Sequence, residues 1–161
     1  MNFQCNGKDY QLKEVESREE FLAAFPLLLA LMQDQDPEEA ARLSEDICYR
    51  SWNKSKEQGY LLHICRHEGE VIAVLGLQEL YDPVSVEPYF RINNLIVAEK
   101  FRRQGLGSKL FDVMEKIVFE RGGNMIILEV LGTNIKAKNF YDKLGYKYVC
   151  DRMWKTLVGN S

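Results

Sequence analysis

The run from Tyr89 to Val130 limits this chain's fold more than any other segment. Tyr89 to Ala98 reads as a strand, and Gln104-Gly105-Leu106-Gly107 then breaks the pattern. From there Leu106, Leu110, Met114, Ile117 and Val118 recur at three- and four-residue intervals, the stripe of an amphipathic helix, which Gly122-Gly123 ends. Met125 to Val130 is again a strand. Strand, helix, strand within this compass requires the two strands to lie parallel, joined by a right-handed crossover.

The flanking segments add elements to that unit. Tyr10 to Glu16 alternates like a short strand, and Ser17-Arg18-Glu19-Glu20 has the spacing of a capping box opening a helix that ends near Gln33. Asp36 before Pro37 predicts a second helix running to about Gly59. Tyr60 to His67 and Glu70 to Leu80 are expected strands joined at Glu68-Gly69, a hairpin turn. After Val130 the pattern predicts a helix from Asn134 to Leu144, stopped by Gly145, and a last strand from Tyr146 to Leu157. No repeat, low-complexity tract or Gly/Ser linker marks a boundary, so one domain over residues 1–161 is expected.

Composition narrows the function classes. With 21 Lys+Arg against 24 Asp+Glu the net charge is −3, which lacks the basic excess that nucleic-acid recognition needs. The most apolar stretch, Phe21 to Met32, is shorter than a bilayer span and contains Pro26, so no membrane partner is expected. Cys5, Cys48, Cys65 and Cys150 form no CxxC pair and are read as reduced thiols of a cytoplasmic protein. His63, Cys65 and His67 alternate on one strand face, but three ligands along one edge with no partner elsewhere make a poor site, and no metal is expected.

The basic exception is Arg102-Arg103, just before the glycines. A helix N-terminus presents unpaired N–H groups and the positive end of the macrodipole, and glycines let an anion approach the backbone. Phe101 to Lys109 therefore suits a pyrophosphate. It equally suits a plain helix start with solvated arginines, and the glycines alone do not separate the two. Gly105-Leu106-Gly107-Ser108-Lys109 lacks P-loop spacing, and Leu110 stands where a dinucleotide turn needs its third glycine, so neither ATP nor NAD is favoured.

Arg102-x-x-Gly105-x-Gly107, after a strand of the form Asn94-Leu95-Ile96-Val97, resembles the acetyl-CoA signature of the GNAT superfamily of N-acetyltransferases. Asn134-Ile-Lys-Ala137-Lys-Asn-Phe140-Tyr141-Asp-Lys143-Leu-Gly145-Tyr146 is similar to that family's other signature, N-x-x-A-x-x-F-Y-x-K-x-G-Y/F. The resemblance is specific over Leu95 to Tyr146 and general in the N-terminal third. It implies an α/β fold of α+β type: a mixed sheet of about six or seven strands with a splayed parallel pair, flanked by about four helices. It also implies acetyl-CoA as cosubstrate, its pantetheine arm pairing with the backbone of Leu95, Ile96 and Val97. The pyrophosphate would rest on the amides of Gln104, Gly105, Leu106, Gly107, Ser108 and Lys109, with Arg102 and Arg103 at the rim. Asn134, Phe140 and Lys143 carry over to further cofactor contacts, the last with an adenosine phosphate. The partner implied is an amine acceptor, small molecule or protein; a homodimer is compatible with the sequence.

The chemistry of such a transfer requires two more groups. A primary amine, with pKa about 10.4, must lose a proton before it attacks a thioester, and the leaving thiolate must gain one. By carry-over Tyr141 is the phenol that protonates sulfur; its alternative role is a core aromatic beside Phe140. Glu129, the charged residue of an otherwise apolar strand, either points to solvent or lines the cleft as base. Leu128-Glu129-Val130, with Glu129 twelve positions before Tyr141, also resembles the ribosomal-protein alanine acetyltransferases, whose matching pair is base and acid. Histone-type members place a glutamate base where this chain has Arg91, so a base here lies elsewhere, with Glu79 or a water relay as alternatives. Asp34, Asp36, Glu38 and Glu39 suit a cationic acceptor and suit a helix N-terminus equally. A catalytically silent acyl-CoA-binding module is the alternative reading of both signatures.

Overall fold

The computed structural model describes residues 1–84 and 86–150. It contains two compact units, Met1–Glu129 and a second that begins at Val130. The first holds β1 (Asn2–Cys5), β2 (Lys8–Glu14), α1 (Arg18–Gln35), α2 (Pro37–Ala40), α3 (Glu45–Lys56), β3 (Tyr60–His67), β4 (Glu70–Leu80), β5 (Tyr89–Val97), α4 (Leu106–Glu120) and β6 (Ile126–Leu128). The second contributes α5 (Ile135–Lys143). Among the described residues the sheet has six strands in the order β1-β2-β3-β4-β5-β6, antiparallel throughout except for the parallel pair β5 and β6. This is the mixed sheet with one parallel pair that the pattern predicts.

Local signals explain the helix starts. Ser17 Oγ accepts the Glu20 amide at 3.2 Å while Glu20 reaches back to the Glu16 amide at 3.0 Å, a closed capping box. The single helix expected from Asp36 to Gly59 is two helices. Asp36 caps the first through the Glu39 amide, and Ser44 caps the second through Ile47, with Glu45 and Asp46 favourably placed in its first turn. Sequence reading also missed β1, although Asn6-Gly7, with φ of 51° and 73°, is a strong turn signal between it and β2. Residues 146–150 of the expected last strand carry no strand pairing, and 151–157 lie outside the described residues.

Alternation along the strands divides the core into two layers. Leu62, Ile64, Val74 and Ile96 pack with Val15, Phe21, Ala24, Phe25 and Trp52 beneath α1 and α3. Leu75, Leu77 and Phe90 are fully buried on the opposite face, where Phe90 and Val118 close around Gly123, and α4 buries Leu106, Leu110, Phe111, Met114 and Val118. At about 1.5–3 kcal/mol for each large apolar side chain removed from water, these layers are the main force holding β5 and α4 in place.

Candidate active site

The ladder between β5 and β6 is short. Phe90, Arg91 and Ile92 face Ile126, Ile127 and Leu128, and there it stops, while β5 continues five residues to Val97. The Ala98 amide bonds the Ile72 carbonyl at 2.8 Å, which makes Ala73 and Val97 a non-hydrogen-bonded pair of the β4/β5 ladder. Leu95 and Val97 therefore turn their backbone N–H and C=O away from β4, whereas Ile96 spends its own on β4. No strand among the described residues pairs with Leu95 and Val97 on that open side. The parallel pair is thus joined only at its start, and along its open edge Leu95 presents its N–H and C=O and Val97 its N–H, the Val97 carbonyl accepting from Arg102.

β5 leads through a short 3₁₀ turn, Glu99–Phe101, into the glycine segment. Arg102 Nε donates to the Val97 carbonyl at 2.7 Å, closing the segment onto the strand end. Gln104 holds it from both sides: its Nε2 donates to the Lys100 carbonyl at 2.8 Å, and its own carbonyl accepts Asn6 Nδ2 at 2.6 Å. Gly105 caps α4 at φ 76°, a left-handed conformation that excludes most side chains, and it offers no side-chain cap. The first amides of α4, from Leu106 through Ser108, thus receive no side-chain cap from that position, as an anion cradle requires. Arg103 is exposed, and Lys109 lies 3.4 Å from Asp112.

Glu129 follows β6 directly. Its side chain is about half exposed and stands 4.0 Å from the Arg91 guanidinium. Glu79, the alternative base, has the alternation of Leu75 and Leu77 and so belongs to the α4 face, where it accepts the Tyr81 hydroxyl at 2.6 Å and lies 3.7 Å from Arg121. Tyr60, Gln78, Arg91 and Asn94 share the other face, a polar cluster that sequence reading did not assemble because its members come from three strands. Its one sequence signal was the pair Asn93-Asn94 inside an apolar strand. His63 and Cys65 are core residues, burial raising the Cys65 thiol to about 12; His67 bonds the Asp9 carbonyl and packs at a tilt against Tyr10, ring centres 4.9 Å apart.

In the second unit, Asn134 caps α5, its side-chain oxygen accepting the Ala137 amide at 3.1 Å. That use of the oxygen competes with the cofactor contact expected of it. Phe140 and Tyr141 are half-buried with ring centres 5.5 Å apart, and Lys143 is exposed in the last turn. Burial raises the Tyr141 phenol above its usual range.

Residues 21–146 match the family model of the acetyltransferase (GNAT) family. The chain belongs to that family. As a GNAT protein it is similar to an uncharacterised N-acetyltransferase, YobR, of Bacillus subtilis (strain 168), 24% identical over 89 residues that span 55% of this chain and 34% of the relative. The chain thus covers about a third of that relative's length. Its GNAT fold is shared with a possible acetyltransferase from Clostridium difficile 630, at TM-score 0.79, 18% identity and coverage of 94% and 99% of the two chains. It is shared also with an aminoglycoside acetyltransferase, meta-AAC0020, from an uncultured soil metagenomic sample in complex with sisomicin, at TM-score 0.75, 16% identity and coverage of 92% and 97%.

Proposed function

We propose that this GNAT chain moves an acetyl group from acetyl-CoA to a primary amine, the amine attacking directly in a ternary complex. The observation that carries this reading is the end of the β5/β6 ladder at Ile92 and Leu128, which leaves Leu95 and Val97 facing an open edge that runs into the α4 N-terminus. An extended amide-bearing arm fits that edge as an added strand does, and a pyrophosphate fits the amides that Gly105 leaves without a side-chain cap. The donor supplies an acyl thioester.

The chain's residues then have separable tasks. Leu95 and Val97 hold the arm, and a backbone N–H from this edge stabilises the oxyanion. Arg103 and Lys109 neutralise phosphate charge, and Lys143 serves the adenosine phosphate. Glu129 takes the proton that the ammonium must lose, and Tyr141 gives its proton to the departing sulfur. The balance is one C–N bond formed and one C–S bond broken; of two protons lost by the ammonium, one ends on sulfur and one in solvent. Burial of Tyr141 keeps the phenol protonated at neutral pH, as an acid must be.

Thiol release from acetyl-CoA, followed over polyamines, amino acids, aminoglycosides and peptides, tests this. Release dependent on one acceptor class supports the transferase. Tight CoA binding with no release for any amine selects a silent acyl-CoA-binding module instead.

A further inference from the structure

The face of the sheet that carries the α1/α3 core changes character part-way along. Val74 belongs to that core, but Gly76 and Gln78, two and four residues on, begin a polar floor. In register with them stand Asn94 and Arg91 on β5 and, beside Gln78, Tyr60 on β3. On β6 Ile127 pairs with Arg91, so Glu129, two residues further, has the same alternation. The floor adjoins the point where the β5/β6 ladder stops. Its neutral members can only donate or accept hydrogen bonds, and Arg91 and Glu129 are the charged residues that stand together there.

Arg91 is held but not used up. Nη2 donates to Gln78 Oε1 at 2.6 Å, and Gln78 is itself oriented by the Gln58 carbonyl and by Asn93 Nδ2. Nη1 approaches Glu129 no closer than 4.0 Å, beyond hydrogen-bond range. Nε is shielded from solvent and donates to nothing among the described residues. The side chain remains 29% exposed, so a planar fork, fixed at one edge, presents donors to whatever lies on the floor. A guanidinium there repels a second ammonium and attracts an anion, and its geometry fits a carboxylate.

We propose that Arg91 binds a carboxylate of the acceptor, and that the amine acetylated here belongs to a small molecule carrying both groups, as an amino acid does. The inference rests on the acetyltransferase reading above and names its substrate class. Arg91 and Glu129 then form a matched pair for a zwitterion, the cation holding the carboxylate and the carboxylate facing the amine. Polycationic acceptors such as aminoglycosides carry no carboxylate for Arg91 to bind.

The test uses amines matched in all but the carboxylate: tyrosine and tyramine, histidine and histamine, lysine and cadaverine. In thiol-release assays on the full chain, kcat/KM for the preferred side chain is expected to be about ten- to a hundredfold higher for the carboxylate member, the range for a hydrogen-bonded charged group. Arg91→Gln should bring the two members of that pair together, mainly through KM, and Arg91→Lys should keep part of the difference. Should Arg91→Gln fail to fold, the wild-type ratio and Arg91→Lys still decide. Release favouring the decarboxylated member, or a preference untouched in Arg91→Gln, overturns the inference and leaves the acetyltransferase reading standing. No release from any amine overturns that reading and this inference with it.

Discussion

The Tyr60 hydroxyl donates a 2.5 Å hydrogen bond to Asn94 Oδ1 across Gly76, joining β3 to β5 over the intervening strand. Only glycine allows this: a Cβ at position 76 would lie 2.1 Å from that hydroxyl and 2.9 Å from the Asn94 oxygen. The bond sits where β5 accommodates an extra residue, since Gly76 faces Asn94 but Leu77 faces Ile92, with Asn93 between. Gly76→Ala is expected to cost about 1–3 kcal/mol by overpacking and loss of the bond, and Tyr60→Phe about 1 kcal/mol. Because the nearest clash is with the hydroxyl, Gly76→Ala should cost less in a Tyr60→Phe background. Urea unfolding of the four proteins checks this; additive costs would show that the two sites do not meet.

His63 predicts acid sensitivity. It is 5% exposed, its Nδ1 has no hydrogen-bond partner among the described residues, and burial, reinforced by Arg121, pushes its pKa down to about 4 from 6.5. It borders a cavity also lined by Lys13, Glu14, Glu120 and Arg121. The unfolded chain binds the proton more readily, so the stability tied to neutral His63 is fully present above pH 6.5 and drains away as pH falls towards 4. Between pH 7.5 and 4.5 this amounts to about 2–3 kcal/mol. Urea unfolding at both values should show wild type losing more than His63→Leu by about that amount. Equal losses would mean that His63 is solvated or paired in the folded protein.

The parallel unit was legible in the sequence because each of its signals is local: the apolar stripe of α4, the glycines at its two ends, and the apolar run of β6. The glycine segment was legible for the same reason, and Gly105 at positive φ is the conformation that its residue type suggests. Ser44 was misread as helix interior because capping depends on whether the chain turns before it, a choice made by packing rather than by the residue. The Arg91 floor was invisible as a unit. Gln78, Arg91 and Tyr60 become neighbours only through register, and a one-residue bulge at Asn93 decides that Asn94 joins them.

Gly105 tests the anion cradle. A Cβ there meets nothing nearer than Asn6 Nδ2 at 4.0 Å, so substitution is limited by φ and not by space. Gly105→Val forces a β-branched residue into the left-handed region at about 1–2 kcal/mol or more, and the relaxation turns the α4 amides. CoA affinity by calorimetry is expected to fall at least about tenfold, the equivalent of ~1.4 kcal/mol. An unaltered dissociation constant would remove the phosphate site from α4.

Tyr141 tests the acid. Its phenol is half-buried and burial raises its pKa above the ordinary phenol value, so the acid form holds through neutral pH. If it protonates sulfur, Tyr141→Phe removes a proton source while leaving the ring beside Phe140 and Tyr146, whose centres lie 5.5 and 6.0 Å away. Turnover should then fall by about 10²–10⁴-fold, the usual share of general acid catalysis, with CoA affinity nearly unchanged. In wild type an alkaline fall in kcat set by this phenol should lie above the ordinary phenol range, because burial raises its pKa, and the variant should lack that limb. Wild-type turnover in Tyr141→Phe would return the residue to a packing role in α5, and a fall in CoA affinity matching the fall in kcat would make it a binding residue instead.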